Sequence, residues 1–103
     1  MTKNKQVNEF PIDGRVVHLG QPIQYQNKSG RLNTTRLLVL EVFVDNYRYE
    51  VPFDFTDMAL KHLDDIKEDN WVHITFRLRG SKSVKDGKTR WFSRNEGIAI
   101  VKG

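Results

Sequence analysis

A chain of 103 residues, 38% hydrophobic and 29% charged, fits one folded domain and excludes both a disordered segment and a second core. With no cysteine there is no disulfide framework, no cysteine-ligated zinc and no thiol nucleophile. The net charge of +4 favours an anionic partner, and no apolar run approaches the roughly 18 residues of a membrane helix.

The opening segment, residues 1–9, lacks the apolar core of a secretory signal and is expected to be a flexible lead-in to a domain spanning 10–103. Phe10 to Leu19, "FPIDGRVVHL", predicts a strand with a bulge or bend at Gly14. "GQPIQYQNKSGRLNT" combines two glycines, a proline and many amides, and predicts a long loop. Thr35 to Val44 predicts a second strand, Asp45-Asn46 a tight turn, and Tyr47 to Phe53 a third strand. From Asp54 to Lys67 the period changes. Met58, Ala59, Leu60, Leu63 and Ile66 recur at helical spacing behind Asp54 or Thr56 as N-cap, so the spacing predicts a helix of about three turns. Trp71 to Arg79 alternates, with Val72, Ile74, Phe76 and Leu78 on one side and Trp71, His73, Thr75, Arg77 and Arg79 on the other. "GSKSVKDGK" predicts a hairpin loop turning at Asp86-Gly87, and a last strand runs from Thr89 to about Val101.

Five strands with one helix between the third and fourth give the element order of the OB-fold, an all-β Greek-key barrel whose bottom the helix plugs. An SH3-like barrel lacks this helix and a ferredoxin-like fold needs two. A two-residue turn at Asp45-Asn46 pairs Val44 with Tyr47, Val42 with Tyr49, Leu40 with Val51 and Leu38 with Phe53, and this set becomes the barrel interior. Phe43 opposite Arg48 then lies outside, beside Leu37, Val39, Glu41 and Glu50. An odd-numbered turn would invert the assignment and send Tyr47 and Tyr49 outward.

Charge is distributed in blocks. Gln21 to Arg36 carries Lys28, Arg31 and Arg36 and no acid, for +3. Arg77 to Arg94, "RLRGSKSVKDGKTRWFSR", carries Arg77, Arg79, Lys82, Lys85, Lys88, Arg90 and Arg94 against Asp86, for +6. Asp54 to Asp69 between them is −4. The two basic blocks fall on the loops that OB-folds use to grip oligonucleotides, those joining strands 1 and 2 and strands 4 and 5. Aromatics among cations are what single-strand binding needs, bases lying on rings while lysine and arginine meet phosphates. Phe43 with Arg48, and Trp91 with Arg90 and Arg94, are the candidate stacking groups. Parity counted back from Ile98 and Ile100 would bury Phe92 and turn Arg90 and Arg94 inward. Either a bulge at Gly97 resets the parity or the hairpin arms project beyond the barrel. Trp71 is read as closing the barrel end beside the helix.

Catalysis has little to stand on. His18, His62 and His73 fall on separate elements with no paired ligand spacing, so no metal is expected. Asp64-Asp65 and Glu68-Asp69 read as solvated charge, and the chain lacks a G-x-x-x-x-G-K-[ST] phosphate loop. No serine has a base and an orienting partner in context. The reading is a binder without catalytic activity or cofactor.

"IDGRVVHL", "NKSGRLNTTRLLVLEV", "YRYEVPFDF", "DNWVHITFRLRG" and "DGKTRWFS" together resemble the small single-stranded-DNA-binding OB-fold proteins, from about Ile12 to Val101. Within these the chain is most similar to a short family found in Bacteroidetes and their phages, and more loosely to primosomal replication protein N. The resemblance implies sequence-independent single-stranded DNA binding in replication, recombination or repair, with Arg31, Arg36, Lys82, Lys85, Lys88, Arg90 and Trp91 among the contacts. It also implies a bacterial cytoplasmic setting, with a phage-encoded version as the alternative. A homodimer or higher oligomer is expected, which outward Leu37 and Val39 would suit. The chain departs from bacterial members in stopping at "IAIVKG", so an acidic recruitment tail is not expected. RNA is the alternative ligand, since nothing here accepts or rejects a 2′-hydroxyl. A protein-interaction module turning its basic face to an acidic partner, such as a host factor, is the alternative class.

Overall fold

In the computed structural model, which describes residues 7–103, six strands and one short helix follow in order. They are β1 (Phe10–Leu19), β2 (Ile23–Gln26), β3 (Leu32–Val44), β4 (Tyr47–Thr56), a 3-10 helix (Asp57–Leu63), β5 (Trp71–Lys85) and β6 (Lys88–Lys102). The sheet order is β1-β5-β6-β4-β3-β2, and an additional β1–β3 pairing closes five of the strands into a ring with β2 outside it. Strand β1 makes the closure by serving two neighbours. Phe10 to Arg15 pair with β5, and Arg15 to Leu19 pair with β3. The seam on the other side is the parallel contact of β4 with β6, Asp54 against Glu96. This is the expected OB-fold barrel, with β2 added.

Alternation fills the barrel. Leu38 and Leu40 of β3, Phe53 and Phe55 of β4, Val72 and Ile74 of β5, Val16 of β1 and Ile100 of β6 are buried together. Leu63 and Ile66 close the same core from below. The β3–β4 register is the one expected of a two-residue turn, Val44 with Tyr47 through Leu38 with Phe53. Asp45 (φ 50°) and Asn46 (φ 72°) form it in the left-handed region that such turns require. The interior assignment holds at Leu38, Leu40 and Phe53 but not at the tip, where Val44, Tyr47 and Tyr49 are exposed because the hairpin outruns the barrel.

Four expectations are corrected. The loop after β1 is a hairpin: Ile23 to Gln26 pair with Thr35 to Leu32. Its tip is held by the Asn27 carboxamide oxygen, which accepts from the Ser29 and Arg31 amides and the Ser29 hydroxyl, with Gly30 at φ 83°. The bulge of β1 lies between Val16 and His18, not at Gly14, which is buried and needs glycine because a side chain there would collide with the Glu41 carbonyl and the Leu40 side chain. The helix is seven residues of 3-10 geometry, because β4 continues to Thr56 so that Phe55 can enter the core. Of the two proposed caps, Thr56 occupies the N-cap position but its side chain makes no capping hydrogen bond, and Asp54 lies within β4. The Thr56 hydroxyl lies 3.2 Å from that of Thr35, Asp54 faces Arg94, and Met58 is exposed. Lastly, "GSKSVKDGK" is strand on both sides of its turn, so β5 and β6 form a continuous ribbon out to Asp86 and Gly87.

Residues 1–6 of the expected flexible lead-in lie outside the described residues. Its remainder docks on β5. The Asn8 carboxamide donates to the Leu78 carbonyl and accepts from the Leu78 amide, each at 3.0 Å.

Candidate nucleic-acid interface

The β5–β6 ribbon runs seven residues past the barrel, Arg79 to Lys85, a reach of about 20 Å at strand rise. Its turn residues, Asp86 (φ 53°) and Gly87 (φ 74°), suit a two-residue hairpin. Partners across a ladder share a face, so the ribbon sorts its side chains in two sets. One carries Arg77, Arg79, Ser81, Ser83 and Lys85 with Glu96, Arg94, Phe92, Arg90 and Lys88. The other carries Leu78, Lys82 and Val84 with Asn95, Trp91 and Thr89.

The bulge decides this sorting. Thr75 pairs with Ala99 but Phe76 pairs with Gly97, so Ile98 is skipped and the parity of β6 is reset beyond it. Arg90 and Arg94 therefore share the outer face, and both explanations weighed for the sequence apply: the parity resets beside Gly97, and the arms project. The consequence is that Phe92, not Trp91, stands among the arginines. Trp91, 74% exposed, lies opposite Lys82 on the ribbon's other face.

The outer face continues from the ribbon across the seam to β4, β3 and β2. Asp54 joins β4 to β6, and Arg94 Nε lies 3.2 Å from its carboxylate. Further out are Thr35, then Tyr25 of β2, which is 41% exposed. Three concavities follow this line. One is lined by Tyr25, Thr35, Asp54 and Arg94, the next by Arg79, Gly80, Ser81, Arg94 and Glu96, and the third by Ser83, Lys85, Asp86, Lys88, Arg90 and Phe92. Lys28 and Arg31 stand at the far end, in the β2–β3 turn.

Electrostatics divides the candidate cations. The Arg48 guanidinium is bonded to Glu41 and to Glu50, the latter at 2.7 Å, which raises its pKa, with the Glu41 hydrogen bond the leading cause. Glu41 is shared by Arg15, and the bonds from Arg48 and then Arg15 hold its carboxyl below the usual range. Arg79 holds both oxygens of Glu96 at 2.8 and 3.2 Å, and its pKa is raised by that bond. Arg77 is 3.8 Å from Glu9. Arg36 donates to the Gly20 carbonyl at 2.6 Å and sits opposite the buried Phe55, so it seals the barrel end and is separate from the outer face. Lys28, Arg31, Lys82, Lys85, Lys88 and Arg90 have no ion pair among the described residues.

Phe43 is exposed near the β3–β4 tip beside Arg48, and it lines none of the three concavities. Leu37 and Val39 lie on the outer face of β3. Trp71 is half exposed on the outer side of β5, its carbonyl accepting from the Gly103 amide at 2.9 Å. His73 is bonded to Asp13 at 2.6 Å. Sequence reasoning missed Tyr25, hidden in a stretch read as loop although Ile23 to Gln26 alternates; it left the facing of Phe92 open between a parity count that turns it inward and a bulge at Gly97 that turns it out, and the ladder shows the bulge.

Solved structures of the same architecture share little sequence with the chain. The mitochondrial single-stranded DNA-binding protein Rim1 of S. cerevisiae is 8% identical at a TM-score of 0.68, with 95% of this chain and 96% of that one covered. The Plasmodium falciparum SSB in complex with ssDNA is 14% identical at 0.59, with 98% of each covered. The small single-stranded DNA-binding protein of Streptomyces coelicolor is 15% identical at 0.52, with 95% and 96% covered. No curated protein matches the sequence. Residues 11–100 match the family model described as a domain of unknown function, DUF3127, and the chain belongs to that family.

Proposed function

We propose that the protein binds single-stranded DNA without catalysis, protecting strands exposed in replication, recombination or repair. The observation that carries this is the outer face itself. Two basic hairpins, far apart in sequence, border one continuous line of concavities that presents Tyr25 and Phe92 to solvent. The likeness in fold to proteins named for single-stranded DNA binding supports it. In this reading a strand runs from the β2–β3 turn to the ribbon tip. Bases stack on Tyr25 and Phe92, while Lys28, Arg31, Lys85, Lys88 and Arg90 meet phosphates. Arg79 and Arg94, already paired with Glu96 and Asp54, act as walls and supply less net charge.

The test is anisotropy of a labelled thymine strand of about 12 nucleotides, within the site range of one OB-fold. Phe92→Ala should weaken binding by about 1–3 kcal/mol, roughly 5- to 150-fold. Trp91→Ala, on the other face, should change it by no more than about threefold, as for a surface position. A larger loss at Trp91 than at Phe92 would move the strand to the opposite face. A matched duplex should bind more weakly, its bases being already stacked. Equal binding of a uridine strand would assign the site to single strands of either sugar.

A further inference from the structure

A face that only grips a polyanion has no use for a carboxylate at its centre, yet Asp54 sits where the two basic hairpins meet. Its cavity, about 170 Å3, is lined by Tyr25, Thr35, Asp54 and Arg94 alone. The Asp54 side chain is 32% exposed, and Arg94 Nε lies 3.2 Å from its Oδ2. Its Oδ1 has no hydrogen-bond donor among the described residues. Asp54 lies on the outer side of β4 opposite Leu37, so apart from Arg94 its carboxylate faces the binding surface and not the core. The site therefore offers an acceptor pair with a guanidinium beside it, under a half-exposed tyrosine ring.

The four bases present different edges to such a site. Guanine carries two adjacent donors, N1–H and the 2-amino group, followed by the O6 acceptor. That order matches two carboxylate oxygens followed by an arginine N–H. Adenine and cytosine offer one donor each. Thymine sets its single N–H between two carbonyls, one of which would face the carboxylate. Carboxylates accept from base amino groups, and a good bidentate contact discriminates between bases. We propose that Tyr25, Thr35, Asp54 and Arg94 form a base-reading subsite that prefers guanine at one position of the bound strand. This rests on the single-strand reading above and adds one sequence-dependent position to an otherwise indifferent path.

The experiment compares thymine strands of about 12 nucleotides carrying one central guanine, inosine, adenine, cytosine or no replacement, all of the OB-fold site length. The guanine strand should bind the wild-type protein about 5- to 150-fold more tightly than the unreplaced strand, the range of a bidentate base contact. Inosine, which lacks the 2-amino group, should fall between them. Asp54→Asn should erase the guanine preference, so that the guanine and plain thymine strands bind the variant equally. Equal affinity of all five strands for the wild-type protein overturns the proposal, as does a guanine preference that survives in Asp54→Asn. The preference is read in the wild type first, so the test does not hang on the variant's folding. Failure to bind any strand would instead overturn the single-strand function, and the subsite with it.

Discussion

Glu41 sits on the outer face of β3, where a carboxylate would oppose nucleic acid, and its surroundings explain its presence. Its side chain is only 11% exposed and is bonded by Arg48 on one side and Arg15 on the other. Arg15 is the residue at which β1 leaves β5 for β3, so Glu41 ties the strand that closes the barrel to the hairpin beside it. Because these bonds lower the carboxyl's pKa on folding, its stabilising effect is complete above the unfolded value and is lost as pH falls through the folded one. Urea stability of the wild type should therefore decline below about pH 5, and Glu41→Gln should be less stable at pH 7 with a flatter acid limb. Parallel pH profiles for the two proteins would assign the acid sensitivity to another group. Sequence could show Glu41 opposite Glu50 and read repulsion. It could not show that Arg15, distant in the chain, reaches the same carboxylate.

Much of the element level was legible because it depends on local chemistry. Asp45-Asn46 and Asp86-Gly87 are turn pairs that tolerate positive φ, and both hairpins take the register these imply. The strand alternation of "VHITFRL" survives into the core at Val72 and Ile74. Where the reading failed, tertiary packing overrode the local signal. Ala59, Leu60, Leu63 and Ile66 have helical spacing, but Phe55 is drawn into the core first, which leaves room for seven residues of helix. Tyr25 was lost in a stretch whose amides resemble loop until Leu32 to Thr35 pairs with it. The bulge by Gly97 is the element on which the site depends, since it sets which face Phe92, Arg90 and Arg94 occupy. A Cβ on Gly97 would overlap the ring of Phe55, itself fully buried and without room to withdraw. Gly97→Ala should cost about 1–3 kcal/mol by the urea midpoint, the usual range for overpacking. Unchanged stability would mean that the bulge shifts freely and that the ribbon's sorting is not fixed by it.

For the whole molecule, net charge misleads and placement informs. The outer face carries acids as well as bases, and the acids are consumed in pairs: Glu96 by Arg79, Asp54 by Arg94, and Glu41 and Glu50 by Arg48. Among the described residues, the outer-face cations without an ion pair cluster at the two ends of the proposed path, Lys28 and Arg31 in one turn and Lys85, Lys88 and Arg90 toward the ribbon tip. In the proposed function such a distribution would hold a strand between two basic ends over a middle that is locally neutral, where stacking and edge contacts can act. Counterion release then measures the ends. Each phosphate neutralised on a single strand contributes about −0.7 to the slope of log K against log salt. Replacing Lys85, Lys88 and Arg90 together by alanine should flatten that slope by about 2 while leaving thermal stability near wild type, since all three are exposed. Arg79→Ala should alter the slope much less, because removing it also frees Glu96 and the local charge changes at a site already neutral. A triple variant with an unchanged slope would place the phosphates elsewhere on the barrel and leave the ribbon's cations a role in solubility alone.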